Sequence, residues 1–388
     1  MNFRVYILAI VTVIVGLVEL IVGGILPMIA TDLNISVSAA GQLITVFAIV
    51  FAISGPVLLS VTSTIERKKL YLISLSVFFL GNILTYFSPN YTFVMIARVI
   101  TAMSAALITV LSLTITTRIV KREKRVRALG FIYMGISSAL VLGIPIGIIV
   151  TKALNWRTVF LGIAILSLVA IVLIQIFLQP LPARQRHSIL EQVKALRNVK
   201  LVTAHITTIL ILAGHYTMYA YFAPFLEATM NFNEYWISLT YFIFGLAAVS
   251  GGAIGGIIAG KVGSIRALFT FIGLFIVTLF TVPMSTFSVP VFFAVVIFWG
   301  ILSWGHSPPT QDYLIEADPK HSDIHQSLNN SAIQVGIALG SAIGGIAIQQ
   351  TGSVTSMAPV GSLIILFALV SFYISISSQS SKKRAYTE

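Results

Sequence analysis

The sequence contains no cysteine and few charged residues. Without cysteine, the 388-residue chain has no disulfide, no thiol nucleophile and no thiolate metal ligand. Charged residues make up 9% of the chain, whereas soluble domains carry about 25%, so the charge that a water-exposed surface needs is missing. These shortages exclude a cytosolic enzyme, a nucleic-acid-binding domain and a disordered protein.

Motifs of enzyme catalysis are also absent from the sequence. It has no phosphate-binding loop with Gly-Lys-Ser/Thr and no His-Glu-x-x-His, and its six histidines do not form a cluster at metal-ligand spacing. We therefore expect no cofactor, no bound metal and no enzyme activity. If the protein moves a solute, the energy must come from an ion gradient or from the gradient of the solute itself.

Long apolar runs dominate the sequence, which is 57% hydrophobic with a mean hydropathy of +0.98. A membrane-spanning helix needs about 20 mostly apolar residues, and a lipid bilayer admits only helices and closed barrels. Runs of this length predict an all-α integral membrane protein of the cell membrane. Twelve spans are predicted, at about 5–29, 37–62, 70–88, 92–117, 128–151, 157–179, 201–228, 234–259, 267–287, 290–314, 324–350 and 357–378.

The basic residues predict how these spans are oriented. The chain carries 24 Lys and Arg against 12 Asp and Glu, an excess that would indicate nucleic-acid binding in a soluble protein. If the N-terminus is cytoplasmic, every basic residue except Arg98, Lys152 and Arg157 falls in a cytoplasmic segment. Positive residues stay on the cytoplasmic side of membrane proteins. We therefore expect both termini in the cytoplasm of a bacterial cell.

A basic connection at residues 180–200 separates six spans from six. We expect an N-terminal half at 1–179, a C-terminal half at 201–378 and a cytoplasmic tail at 379–388. Spans five and eleven share a stripe of small residues at every fourth position, which lets helices approach closely. The stripes are Gly135, Ala139, Gly143 and Gly147, and Ala332, Gly336, Gly340 and Gly344. This recurrence predicts two pseudo-symmetric halves with a solute site between them, as in secondary transporters.

Several segments resemble one transporter family. Gly143-Ile-Pro145-Ile-Gly147 in span five is similar to the antiporter motif of the twelve-span drug/proton antiporters of the major facilitator superfamily. Arg98 stands at the position of the buried arginine of that group. The segments Glu19–Pro27, Ala213–Phe225 and Asp323–Gly340 resemble bacterial purine-base and nucleoside efflux pumps.

The resemblance covers essentially the whole chain and implies the major facilitator fold and proton-coupled export of purine bases or nucleosides. We expect a monomer whose partners are a small solute, protons and the lipid bilayer. The loop between spans two and three departs from the family pattern at Ser63 and Glu66, and the loop between spans eight and nine departs at Gly260. Multidrug, sugar or arginine efflux is the alternative, and a membrane-embedded enzyme or receptor is a remote one.

Glu19 is the only acidic residue deep inside a predicted span, and Arg98 lies in span four. Burial and a nearby arginine act in opposite directions on the proton affinity of a carboxyl group, so Glu19 is the predicted proton carrier. Arg98 does not release its proton and is expected to adjust the neighbouring acid. A purely structural Glu19–Arg98 pair is the alternative. Asp32, after Pro27, is expected to lie in a loop or to cap a helix.

Aromatic side chains in spans seven and ten predict part of a solute site. His215 and Tyr219 share a helix face with Phe222, and their rings offer stacking surfaces and hydrogen bonds. In span ten, one of Trp299 and Trp304 is expected to line a cavity and the other to face lipid. An aromatic packing stripe is the alternative. The pair Pro308-Pro309 predicts a bend near the end of span ten.

Amide side chains in span eleven complete the predicted solute site. Asn330 and Gln334 are four residues apart on one helix face, and amides donate and accept hydrogen bonds together, as a nucleobase edge requires. Asn329 is a weaker candidate for solute contact. Hydrogen bonding between helices is the alternative role for all three amides. His205, near the end of span seven, is expected to have no functional role.

Overall fold

The computed structural model describes residues 3–121, 125–183 and 198–384, and within these ranges all regular structure is helical. Twelve helical segments are long and apolar enough to cross a membrane, which confirms the predicted fold class and number of spans. The spans are Phe3–Asp32, Val37–Val61, Arg67–Tyr86, Tyr91–Ile119, Ala128–Ala153, Trp156–Phe177, Val199–Tyr219, Glu234–Val262, Ser264–Thr281, Val289–Ala317, Ile324–Thr351 and Val354–Ser378. Most of the predicted linker at 180–200 lies outside the described residues.

Prolines divide three of these elements into separate helices. Span five consists of Arg125–Ser138, a π-helical turn at Ala139–Gly143, and Ile144–Ala153. The predicted run 201–228 is two helices, Val199–Tyr219 and Phe222–Met230, and span ten is Val289–Gly305 followed by Ser307–Ala317. Each later piece has a proline in its first turn, where the missing N–H and the ring interrupt the preceding helix. The expected bend in span ten therefore coincides with a helix break at His306.

The helix ends follow local sequence signals. Ser36, Asn90 and Asn155 precede spans two, four and six, and each side chain accepts a hydrogen bond from the backbone N–H three residues later. Such caps satisfy amide groups that the first helical turn leaves unpaired. Gly352 ends span eleven with φ of 67°, a left-handed conformation that glycine adopts without steric cost.

The outward faces of the spans are strongly apolar. In span six, the side chains of Ile165, Val169 and Ile176 are about half exposed or more, whereas Ser167 and Ile174 on the opposite side are buried. Such an apolar surface is unfavourable in contact with water, but it is compatible with the hydrocarbon chains of lipids. The exposed apolar faces are therefore those that a bilayer covers.

The chain forms two compact units. The first comprises Met1–His187 and Phe232–Phe242, and the second comprises Ser188–Asn231 and Ile243–Glu388. The first unit has a core of apolar side chains from spans one to six, among them Val11, Phe78 and Leu111. The segment Phe232–Phe242, which contains the beginning of span eight, belongs to the first unit.

Candidate functional site

The antiporter-like segment of span five packs against span one. A Cβ atom on Gly143 would meet the side chain of Leu17, and one on Gly147 would meet the side chain of Ile21. The π-helical turn ends two residues before Pro145. Because Pro145 has no N–H for the carbonyl group one turn earlier, the wider turn accommodates the proline without ending the span. The segment combines close helix contact with a locally irregular backbone.

The beginning of span eight also contacts this segment within the first unit. The hydroxyl of Ser238 donates a hydrogen bond to the backbone oxygen of Pro145 at 3.1 Å. At the end of span five, Lys152 forms an ion pair with Glu234 at 2.5 Å. In the sequence, Lys152 stands out only as a basic residue outside the predicted cytoplasmic segments. Its partner could not be found without the fold, because the two residues are 82 positions apart.

Arg98 is buried and links spans one, two and four. Its Nη1 donates to the backbone oxygen of Val18 at 2.8 Å, and its Nε donates to that of Leu43 at 3.3 Å. The guanidinium carbon lies 4.1 Å from the ring centroid of Phe47, a cation–π contact. Glu19 follows Val18 directly, is half-buried and interacts electrostatically with Arg98. Carbonyl oxygens and a ring thus hold the guanidinium group beside the acid.

His215, Tyr219 and Trp299 lie together inside the second unit, with Phe222 and Phe244. We call these five residues the aromatic cluster, and none of them is more than 4% exposed. The ring of His215 stacks on Tyr219 with centroids 5.0 Å apart. Phe222 and Phe244 approach Trp299 edge-on at 4.8 and 5.1 Å. The structure therefore brings together three of the six residues predicted to contact the solute.

A hydrogen bond inside the aromatic cluster determines the tautomer of His215. The indole N–H of Trp299 donates to Nδ1 of His215 at 3.1 Å. Because Nδ1 accepts this bond, a neutral His215 carries its proton on Nε2. Within the described part of the chain, no group accepts the Nε2–H. His215 therefore retains one hydrogen-bond donor for a partner other than protein.

The remaining predicted solute contacts lie in different surroundings. Trp304 is half-buried and makes no ring contact with any residue in the described ranges, so of the two tryptophans only Trp299 joins the aromatic cluster. In span eleven, Asn330 is exposed, whereas Gln334 is only 5% exposed. Asn329 is buried and accepts a hydrogen bond from the Thr208 hydroxyl at 2.8 Å. A shared helix face therefore does not give the two predicted amides the same environment.

The expectation for Asp32 was wrong. Asp32 is the last residue of the span-one helix, and its carboxylate accepts the indole N–H of Trp156 at 3.0 Å and pairs with Arg157 at 2.5 Å. Arg157 also donates to the backbone oxygen of Ser88 at 3.2 Å. Asp32, Trp156 and Arg157 therefore connect the ends of spans one, three and six. Nothing local to Asp32 indicates partners more than 120 positions away.

Glu66 lies immediately before span three, in the loop that departs from the family pattern. Its carboxylate accepts backbone N–H bonds from Lys68, Lys69 and Leu181 at 2.9, 3.0 and 2.6 Å. Desolvation, the largest single effect, raises the pKa of Glu66, but the hydrogen bonds to its charged form outweigh it and the pKa lies below its usual value. Glu66 thus caps span three and also fixes the segment that follows span six.

Two phenylalanines of these sites were missed in the sequence. Phe47 lies against Arg98, and Phe244 belongs to the aromatic cluster. Both stand in long apolar runs, where a phenylalanine that faces a functional group looks like one that faces lipid. In the described ranges, no group of three or more His, Asp or Glu side chains is arranged to hold a metal ion.

Comparisons with known proteins agree with the fold. The sequence matches the family profile described as Major Facilitator Superfamily over residues 8–323. It is 34% identical over 381 residues to the Uncharacterized MFS-type transporter YbcL of Bacillus subtilis (strain 168), which covers 97% of each chain. It is 26% identical over 371 residues to the Probable sugar efflux transporter of Mannheimia succiniciproducens, which covers 95% of this chain and 93% of that one.

Solved structures share the fold at low sequence identity. A bacterial homologue of the human lysosomal transporter Spinster, in an inward-facing and occupied conformation, has a TM-score of 0.76 and 13% identity, covering 98% of this chain and 96% of that one. A structure with the same description, in an inward-facing and unoccupied conformation, has a TM-score of 0.73 and 14% identity, covering 97% of this chain and 96% of that one. At this identity the likeness concerns the arrangement of the chain alone.

Proposed function

Since the chain belongs to the major facilitator superfamily, we propose that it exports purine bases and nucleosides from the bacterial cytoplasm in exchange for protons. Membership of this family makes the protein a multi-pass membrane transporter and not an enzyme. The observation that carries the choice of solute is the aromatic cluster, where a stacked imidazole and phenol lie beside an oriented indole.

A purine has a flat π face and an edge of alternating donors and acceptors, and the proposed site supplies groups for both. The ring of Tyr219 is the stacking surface, and the Nε2–H of His215 is the donor. Trp299 is completely buried, so we assign it the role of orienting His215 through the indole hydrogen bond. The amide of Gln334 is proposed to pair with the purine edge. Loss of a stacking ring or a buried hydrogen bond costs about 1–3 kcal/mol.

Proton coupling is assigned to Glu19. When Glu19 gains or loses a proton, the guanidinium group of Arg98 stays in place, because the backbone oxygens of Val18 and Leu43 hold it. The Glu19→Gln variant should bind solute but lose pH-driven accumulation in vesicles. Full gradient-driven transport by this variant would contradict the assignment.

The antiporter-like segment is proposed to let span five move against span one during the transport cycle. Gly147→Leu would place a branched side chain where even a Cβ atom meets Ile21. We expect this variant to insert into the membrane but to stop exchange or to leak protons. Exchange at the wild-type rate would show that close contact at Gly147 is not needed.

The solute is tested with purified protein in proteoliposomes and radiolabelled hypoxanthine. Trp299→Phe removes the indole N–H that orients His215 and should lower uptake at least tenfold, or about 1.4 kcal/mol. Trp304→Phe is the matched control, because it makes the same change in the same span outside the aromatic cluster. Normal uptake by Trp299→Phe, or an equal loss in Trp304→Phe, would rule out the proposed role of the indole.

Sugar efflux is the second candidate, and the similarity to a sugar efflux transporter favours it. The same proteoliposomes should be tested with labelled glucose and lactose, and a deletion strain with toxic purine analogues and ethidium. Purine-analogue sensitivity with normal ethidium tolerance supports the purine proposal. Sugar uptake without hypoxanthine uptake would replace it by sugar efflux, and ethidium sensitivity alone would replace it by multidrug efflux.

A further inference from the structure

Four side chains of the second unit form a continuous hydrogen-bonded series where spans seven, ten and eleven have neighbouring ends. Nδ1 of His321 lies 2.9 Å from Oδ2 of Asp318, and Nε2 of His325 lies 3.4 Å from the same oxygen. Nδ1 of His325 then lies 3.4 Å from Nε2 of His205, and the two rings are stacked. We call these four residues the histidine chain. It contains neither Glu19 nor any residue of the aromatic cluster.

The histidine chain runs from an exposed to a buried environment. The side chains of His321 and Asp318 are 56% and 25% exposed, and that of His325 is 0% exposed. His205, at the inner end, is 5% exposed, and its Nδ1 has no hydrogen-bond partner in the described residues. Buried polar atoms are nearly always paired, so such an exception calls for an explanation. Water reaches the outer end of the series and not the inner end.

The other charged groups around the histidine chain are few. Lys200 lies in the first turn of span seven with its ammonium group 5.0 Å from the ring centroid of Tyr313, and it interacts electrostatically with Glu316. Span twelve contributes the hydroxyls of Ser371 and Ser375, which donate to backbone oxygens of span seven. Among side chains that the structure describes, Asp318 is therefore the acid that faces the imidazoles directly.

The polar series ends one turn beyond His205. There the Thr208 hydroxyl donates to Asn329, and further along span eleven Gly336 and Gly340 lie against backbone carbonyl groups of span seven. Such backbone contact leaves no space for water between the two helices. A proton that enters at Asp318 therefore has a path to His205 and no continuation along this helix interface. This geometry fits a loading site better than a channel.

We propose that His205 is a second proton-binding site of the transport cycle, loaded from Asp318 through His325. Hydronium in the bulk water protonates the Asp318 carboxylate and leaves water, and the carboxyl group gives that proton to Nε2 of His325. His325 gives its own Nδ1 proton to Nε2 of His205. Asp318 returns to the carboxylate, His325 is neutral again, and His205, which holds a proton on Nδ1, becomes an imidazolium. The reverse sequence releases the proton.

This inference rests on the proposed proton coupling, and a measurement without solute separates the two. Because the chain has no cysteine, Phe87→Cys and Phe287→Cys, both at highly exposed positions, provide the only two spin-label sites. Distances between the labels are measured by pulsed electron resonance across about pH 5 to 8, the range in which histidine titrates. We expect a pH-dependent distance distribution in the wild-type background and a smaller pH response in His205→Asn, where Glu19 is the remaining proposed proton site.

His306→Asn is the matched control, because His306 is also buried in the second unit with an unpaired Nδ1 but lies outside the histidine chain. It should retain the pH response. If His205→Asn also retains the full response, the second proton site is ruled out and proton coupling by Glu19 stands. If the wild type shows no pH response, proton coupling itself fails and the inference fails with it.

A transport assay adds a second variant in case His205→Asn does not fold. Asp318→Asn, at the outer end of the histidine chain, should lower pH-driven hypoxanthine accumulation at least tenfold, or about 1.4 kcal/mol. Equilibrium exchange at equal pH needs no net proton movement and should stay near the wild-type rate. Equal losses in both assays would mean that Asp318 has only a structural role. Unchanged accumulation would exclude the path through His325.

Discussion

Spans five and eleven carry the same stripe of small residues, yet the two stripes make different contacts. In span eleven, each glycine of the stripe lies against a backbone carbonyl group of span seven: Gly336 at Ile209, Gly340 at Ala213 and Gly344 at Thr217. In span five, Gly135 also lies against a backbone oxygen, that of Ala9, but Gly143 and Gly147, which flank Pro145, face the side chains of Leu17 and Ile21. Around Pro145 the first unit therefore has a backbone-to-side-chain contact where the second unit has a backbone-to-backbone contact.

The difference shows how one pattern supports a rigid and an adjustable helix pair. Side chains change rotamer at small cost, whereas backbone groups in contact cannot move without displacing a whole helix. Accordingly, span eleven is one unbroken helix, Ser322–Thr351, and span five contains a π-helical turn before Pro145. When the stripes are aligned, Ala342 takes the place of Pro145. The proline and the softer contact occur together in the first unit.

The largest effect is expected when the proline is moved to the other stripe. Ala342→Pro removes a backbone hydrogen bond in span eleven, where the tight contact with span seven leaves no room for a wider turn. A proline inside a helix costs about 3 kcal/mol or more, so we expect little folded protein. The measurement is the amount of monodisperse protein in size-exclusion chromatography after detergent extraction.

The reciprocal variant, Pro145→Ala, is the control for that experiment. It should fold as well as the wild type, because alanine restores the N–H and suits a helix. If Ala342→Pro folds as readily as Pro145→Ala, the two stripes are equally adjustable and the comparison fails.

A smaller effect is expected from adding one methyl group to each stripe. The Cβ atom of Gly340→Ala would meet the backbone oxygen of Ala213, which cannot rotate away. Overpacking of this kind costs about 1–3 kcal/mol. Gly143→Ala adds the same methyl group against the movable end of the Leu17 side chain, and should cost less than about 1 kcal/mol. The measurement is the apparent melting temperature of each purified variant. Equal decreases in the two variants would show that the backbone contact of Gly340 is no tighter than the side-chain contact of Gly143.

The smallest effect on stability is expected at the residues that precede spans three and nine. Glu66 caps span three through its own carboxylate, whereas Gly263 precedes span nine without a side-chain cap, and Ser264 donates to Asp312 from span ten. Glu66→Gln keeps an acceptor and removes the charge, and we expect a loss of about 1 kcal/mol at pH 7. The exposed Glu227→Gln is the matched control and should leave the melting temperature unchanged.

The pH dependence of Glu66→Gln has a definite sign. The pKa of Glu66 is lower in the folded protein than its model-peptide value of 4.5, so its carboxylate stabilises the fold fully above that value. The contribution disappears as the pH falls through the lower pKa of the folded state. Melting temperatures of the variant and the wild type should therefore converge in acid. A constant difference at all pH values would show that the charge has no part in it.

Much of the fold could be predicted because it depends on local chemistry. Apolar length predicts a span wherever the chain must cross lipid, and the pair Pro308-Pro309 predicted the bend in span ten. Proline alone does not predict a break, because Pro27 and Pro56 lie inside continuous helices. The pairing of His215 with Tyr219 followed from their spacing on one helix. In contrast, the indole N–H of Trp299 reaches His215 across 84 positions, and no local pattern distinguishes Trp299 from Trp304. Choosing between them required the packing of spans seven, eight and ten.

Local sequence was enough to predict the twelve spans, the bend at Pro308-Pro309, the recurrence of the small-residue stripe and the chemical types of the candidate site. These follow from hydrophobicity and backbone geometry, which act over a few residues. The packing of helices was needed to show that Arg98 donates to carbonyl groups of two other spans, that Asp32 pairs with Arg157, and that His205 meets His325. In each case two helices place polar atoms 2.5 to 3.4 Å apart, and that distance depends on how whole helices pack.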